Sequence, residues 1–190
     1  MMVKPILVFG YGNPSRGDDA LGSELLESLK KNSVIRRDKI EFLTDFQLQI
    51  EHALDLEKRH MVLFADASVS CNGPFELHQL MPEHDLSYTT HAMSPAAVLQ
   101  VYQSIKKEIP PPCFLLSIKA EQFELGEDLS IGAKQNLQVA NDFAVQLLSN
   151  PSLNRWLELS YNPRKSSCSR FLAQSLDSTA LRKNTRLTYG

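Results

Sequence analysis

The chain has 190 residues, of which 43% are hydrophobic and 22% charged, and its formal net charge is -2. This is the composition of an ordinary globular protein, long enough to bury a core without staples, and its charge gives no sign of nucleic acid or an anionic membrane as partner. No apolar run approaches the length of a membrane span, and three widely spaced cysteines, Cys71, Cys113 and Cys168, form neither a CxxC pair nor an even disulfide set.

The cysteines are read as reduced thiols, and with no signal peptide at the N-terminus the expected location is the cytoplasm. Charge is unevenly spread. Residues 151–190 carry seven Lys/Arg and two Asp/Glu, a net of +5, which leaves -7 on residues 1–150. The expected division is therefore an acidic α/β domain over 1–150 and a basic, weakly ordered extension over 151–190.

The first strand is expected over about residues 4–10, with the apolar run Ile6 to Phe9 at its centre. It ends in Gly10-Tyr11-Gly12-Asn13-Pro14, a dense turn signal, followed by the adjacent carboxylates Asp18 and Asp19. A helix is predicted from Asp19 to Lys31, because Leu21, Leu25, Leu26 and Leu29 share one face. Asp18 or Asp19 is expected to cap it. A second strand, Ile40 to Thr44, ends at Asp45, and a second helix is expected over Gln47 to Glu57. The third strand, His60 to Ala65, is nearly all apolar, as a central parallel strand should be, and Asp66 follows it. Phe75 to Met81 alternates imperfectly and reads as an antiparallel edge strand. Helix three starts at Ser94-Pro95, with proline at the tolerated first position. Cys113 to Ile118 is the last core strand and Ile131 to Leu148 the last helix of the domain. Beyond Pro151, only Phe171 to Leu181 has the pattern of a marginal helix. Alternating strands and helices predict a three-layer α/β fold: a mostly parallel sheet with one antiparallel edge strand and helices on both faces.

The glycine loop GYGNPS has Ser15 where a dinucleotide fingerprint needs its third glycine. The two aspartates behind it would repel a phosphate at that helix start. Asp66 and His91 complete the chemistry-bearing set. His91 lies in a small, polar helix-entry segment, whereas His52 and His60 flank predicted elements, His78 alternates outward and His84 sits in a charged loop. Asp19, Asp66 and His91 come from three separate loops. Two carboxylates and an imidazole suit a divalent transition metal with open positions. Each residue taken alone also has an ordinary structural role: a cap, a loop aspartate, a surface histidine.

These motifs give the chain its resemblance. G-x-G-N-x-x-x-x-D-D at Gly10 to Asp19, an apolar strand ending in Asp66-Ala67, and H-x-x-S-P at His91 to Pro95 resemble the [NiFe]-hydrogenase maturation proteases, from Ile6 to about Leu148. The resemblance implies a parallel α/β sheet with one antiparallel edge strand. It also implies an endopeptidase that removes a C-terminal extension from a hydrogenase large-subunit precursor after nickel insertion. Nickel, that of the substrate, would be engaged by Asp19, Asp66 and His91. Asp19, Asp66 and Asp45 would serve catalysis, with Asp45 as general base or holder of the substrate tail. The large-subunit precursor is the implied partner, and a monomer is expected.

Two departures stand out. Many members have Glu at the position of Asp19, which leaves Asp18 as an alternative ligand. Many have Asp-Gly-Gly where this chain has Asp45-Phe46-Gln47. With FELGEDLS at Phe123 to Ser130, that second departure resembles the branch serving bidirectional, NAD(P)-coupled hydrogenases. A metal-dependent hydrolase of other specificity and a nickel metallochaperone are the competing readings.

Overall fold

A computed structural model describes residues 3–83 and 93–160. Five strands form one sheet: β1 (Ile6–Tyr11), β2 (Ile40–Asp45), β3 (Met61–Ser68), β4 (Phe75–Leu80) and β5 (Cys113–Lys119). Their spatial order is β2-β1-β3-β5-β4. All neighbours are parallel except β4, which runs antiparallel to β5 along one edge. The expected fold class is the observed one: β4 is the antiparallel edge strand, paired with β5, which takes the inner place. Cys113, Phe114, Leu116 and Ile118 of β5 are all buried, whereas β4 buries only Phe75 and Leu77.

Helices cover both faces. On one face, α1 (Leu21–Lys31), α3 (Ile131–Ser149) and α4 (Leu153–Ser160) pack with the inward residues Ile6, Val8, Leu63, Phe114 and Leu116. On the other, a 3-10 stretch (Ile50–Leu56) and α2 (Pro95–Lys106) cover Leu7, Phe9, Val62 and Phe64. The expected second helix is thus a 3-10 segment. Its buried residues, Ala53 and Leu56, are three apart, the period of that helix. Ser94 caps α2 by accepting the Ala97 N–H at 3.1 Å, with Pro95 as the first helical residue. The start of α1 differs from expectation. A 3-10 turn (Gly17–Ala20) precedes it, and neither aspartate side chain caps it.

Close approach fixes how α1 sits. A Cβ on Gly22 would lie 2.5 Å from the carbonyl oxygens of both Tyr11 and Ala65. Only glycine lets the helix backbone rest directly on β1 and β3, and this contact sets where the glycine loop ends.

The boundary expected after residue 150 falls too early. Trp156 on α4 is fully buried. Its indole N–H donates to the Leu147 carbonyl at 3.2 Å, and its ring meets Phe114 edge-on at 5.2 Å. The basic composition of the extension concealed a short amphipathic helix that closes the core over β5. The expected helix at Phe171 to Leu181 lies outside the described residues.

Burial of this size makes α4 part of the domain. Trp156→Ala should cost about 3–5 kcal/mol, a fall in Tm of roughly 6–20 °C. Deleting 151–190 should destabilise at least as much. A thermal melt of each variant checks both, and an unchanged Tm would show that the domain ends near residue 150 after all.

Candidate active site

Strands β1, β2 and β3 end together, and their last side chains on the α2 face form a polar row. Alternation sets its composition. Leu7 and Phe9, Val62 and Phe64, and Leu43 point into the core on that face. Two residues further along, Tyr11, Asp66 and Asp45 therefore point to the same side. Tyr11 pairs with Asp45 across β1 and β2, and Gly10 pairs with Ala65 across β1 and β3. The row thus reads Asp45, Tyr11, Asp66 across the sheet. Asp66 was expected just after its strand. It lies within β3 instead, in register with Ser117 of β5, so its backbone is held on the sheet.

Asp66 accepts the N–H of Ala67 at 2.8 Å and the hydroxyl of Tyr11. Burial raises its pKa to about 6. The Tyr11 and Ala67 bonds oppose that rise, and the negative charge of Asp19 adds to it. The Tyr11 phenol is pushed well above its usual value, by burial first and then by the charge of Asp66. Asp19 is thus electrostatically coupled to both residues. Its Oδ2 accepts the Asn13 N–H at 2.8 Å. The glycine loop is shaped for this approach. Gly12 has φ 133°, and a Cβ there would lie 1.9 Å from the Asp19 carbonyl oxygen.

Asp18 has a different task. It is fully buried. Its Oδ2 accepts the N–H groups of Glu121 (2.8 Å) and Gln122 (3.0 Å) and the Ser130 hydroxyl (2.9 Å), while Oδ1 accepts the Ser130 N–H (2.7 Å). Burial raises its pKa, but these bonds outweigh that and hold the carboxyl below its usual value of 3.8. With both oxygens taken by protein donors, Asp18 is poorly placed to serve as the alternative metal ligand. Asp19 is the carboxylate of the loop whose charge acts on Asp66.

Asp45 ends β2. Its Oδ1 accepts the Phe46 N–H at 2.6 Å, and its Oδ2 lies 3.4 Å from His52 Nε2. His91 lies outside the described residues. The chain just beyond it is placed: the Met93 N–H donates to the Leu48 carbonyl at 3.2 Å, three residues past Asp45. Among the described residues, no group of three or more His, Cys, Asp or Glu side chains forms a metal-binding cluster. Of the motif carboxylates, Asp19 is the one whose charge acts on both Asp66 and Tyr11.

Sequence reasoning missed Tyr11, the partner role of Asp18 and the proximity of His52 to Asp45. The parity of Tyr11 with Phe9 was the available signal for the first. For Asp18, the partners lie more than 100 residues away in sequence, so no local pattern could have revealed them.

No protein-family model matches the chain, and no curated protein matches it. Solved structures do. The chain is similar to the hydrogenase maturating endopeptidase HybD from E. coli, with 25% identity, TM-score 0.59, and coverage of 75% of this chain and 91% of that one. It is also similar to the [NiFe] hydrogenase maturation protease HycI from Thermococcus kodakarensis (21% identity, TM-score 0.59, 78% and 94% covered) and to an endopeptidase from Escherichia coli (23%, 0.60, 76% and 93%). These likenesses establish the fold as that of hydrogenase maturation endopeptidases.

Opposite shifts give the two carboxylates opposite effects on stability. The raised pKa of Asp66 means that its contribution is fully present below the unfolded value of 3.8 and is lost as pH rises through about 6. Asp66→Asn should therefore stabilise the protein above pH 6, on the order of 2 kcal/mol after allowing for partial exposure, and the gain should vanish near pH 4. The depressed pKa of Asp18 gives stability present above about 3.8 and lost as pH falls below it. Asp18→Ala strands buried N–H donors and should cost about 3–5 kcal/mol at neutral pH. Denaturant melts between pH 4 and 8 test both; a destabilised Asp66→Asn or a neutral Asp18→Ala would contradict these assignments.

Proposed function

We propose that the chain is an endopeptidase that removes the C-terminal extension of a [NiFe]-hydrogenase large-subunit precursor once nickel is in place. The observation that carries the reading is the coupling of Asp19 and Asp66 at the C-terminal edge of the sheet, in a fold shared with HybD over 91% of that enzyme's length. Strand ends of parallel sheets are where such folds bind and react.

In this proposal the nickel belongs to the substrate. Asp19 and Asp66 supply carboxylate oxygens to it, and His91 an imidazole nitrogen, a donor set that suits a divalent ion of the later transition series. Such a metal marks a correctly loaded precursor and polarises a nearby carbonyl or water. The chain's own contribution is to hold the ligands ready. Tyr11 orients Asp66 through its hydroxyl, and Gly12 admits Asp19. Asp45 works on the peptide rather than the metal, as general base toward the attacking water or as the acceptor that holds the tail. Its carboxylate is 37% exposed, so it is open to such a partner.

The sequence supports further detail. Asp45-Phe46-Gln47 in place of Asp-Gly-Gly, together with FELGEDLS, supports the reading that the substrate is a bidirectional, NAD(P)-coupled hydrogenase. Among the described residues no helix is long and apolar enough to cross a membrane. We place the protein in the cytoplasm, where such a precursor would be processed, and acting as a monomer.

Incubation of purified protein with nickel-loaded precursor should lower the precursor's mass by its C-terminal extension, and nickel-free precursor should stay intact. Asp19→Ala, Asp66→Asn and His91→Ala should each reduce processing at least 100-fold. Intact mass spectrometry reads the outcome. Nickel transfer with no loss of mass would mark a metallochaperone and overturn the protease reading, and wild-type turnover in a variant would remove that residue from the site.

A further inference from the structure

His52 lies against Asp45, with Nε2 3.4 Å from Oδ2. It is held from two sides. Phe9 meets it edge-on, with centroids 4.8 Å apart, and the Gln49 N–H donates to its Nδ1 at 2.9 Å. A nitrogen that accepts a backbone N–H carries no proton of its own. The neutral ring is therefore the tautomer with its proton on Nε2, the nitrogen 3.4 Å from Asp45 Oδ2. That separation is long for a hydrogen bond, and a small shift of either side chain closes it. Exposure divides the pair: the histidine side chain is 12% exposed and the carboxylate 37%. The buried ring backs the acid that solvent and substrate can reach.

The same geometry rules out a second role. A histidine acting as general base toward a nucleophile needs one free nitrogen lone pair facing that nucleophile. Here Nδ1 spends its lone pair on the Gln49 N–H. We propose that His52 is a positioning residue for Asp45, fixing the carboxylate through Nε2–H while the Gln49 backbone fixes the ring. This rests on the assignment of Asp45 to the peptide made above. Gln49 is the N-cap of the 3-10 stretch and His52 its third residue, so the bond that closes the first turn also stands the ring over Phe9 and beside Asp45.

The test has a kinetic and a spectroscopic arm. With nickel-loaded precursor as substrate, His52→Leu should lower kcat/KM about 10- to 100-fold, as loss of an orienting partner does. His52→Gln, which keeps an N–H donor, should recover most of the loss. In an Asp45→Asn background, His52→Leu should change kcat/KM by less than about 3-fold, because its effect runs through Asp45. Equal losses in both backgrounds would overturn the proposal, as would a Gln variant no better than Leu. The spectroscopic arm needs no substrate, so it stands even if the protein cuts nothing. Nitrogen-15 NMR of the neutral ring should show Nδ1 as the unprotonated nitrogen, and Asp45→Asn should shift the Nε2–H resonance. A protonated Nδ1, or an Nε2–H resonance that Asp45→Asn leaves in place, would overturn the dyad.

Discussion

One buried carboxylate ties the two halves of the sheet edge together. Asp18 leaves the glycine loop and takes four donors from the β5–α3 connection. Its backbone N–H also donates to the Gln122 carbonyl at 2.7 Å, and the Gly17 N–H to Glu127 at 3.0 Å. A desolvated carboxylate is tolerable only when its lone pairs are so completely met. The rest of the edge depends on it: with the loop fixed there, the next residue, Asp19, stands where its charge acts on Asp66. Two adjacent aspartates of the same chemistry thereby acquire different roles, one structural and one presented.

The second constraint is the cost of the site itself. Asp66 lies on a strand, half-buried, with another acid nearby, and its ionised form is disfavoured. Tyr11 offsets part of this through its hydroxyl. Such a group makes the resting protein less stable at neutral pH than an amide would, which is the usual relation between a functional site and the fold that carries it. A cation placed between Asp19 and Asp66 would relieve both the repulsion and the desolvation. The proposed recognition of a nickel-loaded precursor draws on that relief, because an empty precursor offers no charge to bind.

Much of this was legible in the sequence. The apolar runs at Ile6 to Phe9 and Met61 to Ala65 gave the inner strands, and Ser94-Pro95 gave the start of α2, because strand burial and helix capping are local rules. The motif carboxylates Asp19, Asp45 and Asp66 do stand at one edge of the sheet, as strand ends in a parallel sheet must. What stayed hidden was non-local or quantitative. The partners of Asp18 are remote in sequence. Trp156 sat in a segment whose charge and serine content outweighed one short apolar face. The order of β5 and β4 was decided by which strand buries both faces, a property that the alternation of β4 alone could not supply. His52 passed as a helix-flanking residue because its position follows from the fold-back of the 3-10 stretch.

Asp19 and Asp66 are proposed to engage the nickel of a loaded precursor. X-ray absorption at the nickel edge, on the nickel-loaded precursor frozen with this protein before turnover, addresses it directly. Additional oxygen or nitrogen scatterers are expected around nickel in the wild-type mixture, and they should be lost with an Asp19→Ala, Asp66→Asn double variant that still folds. A nickel spectrum identical with and without the protein would contradict it.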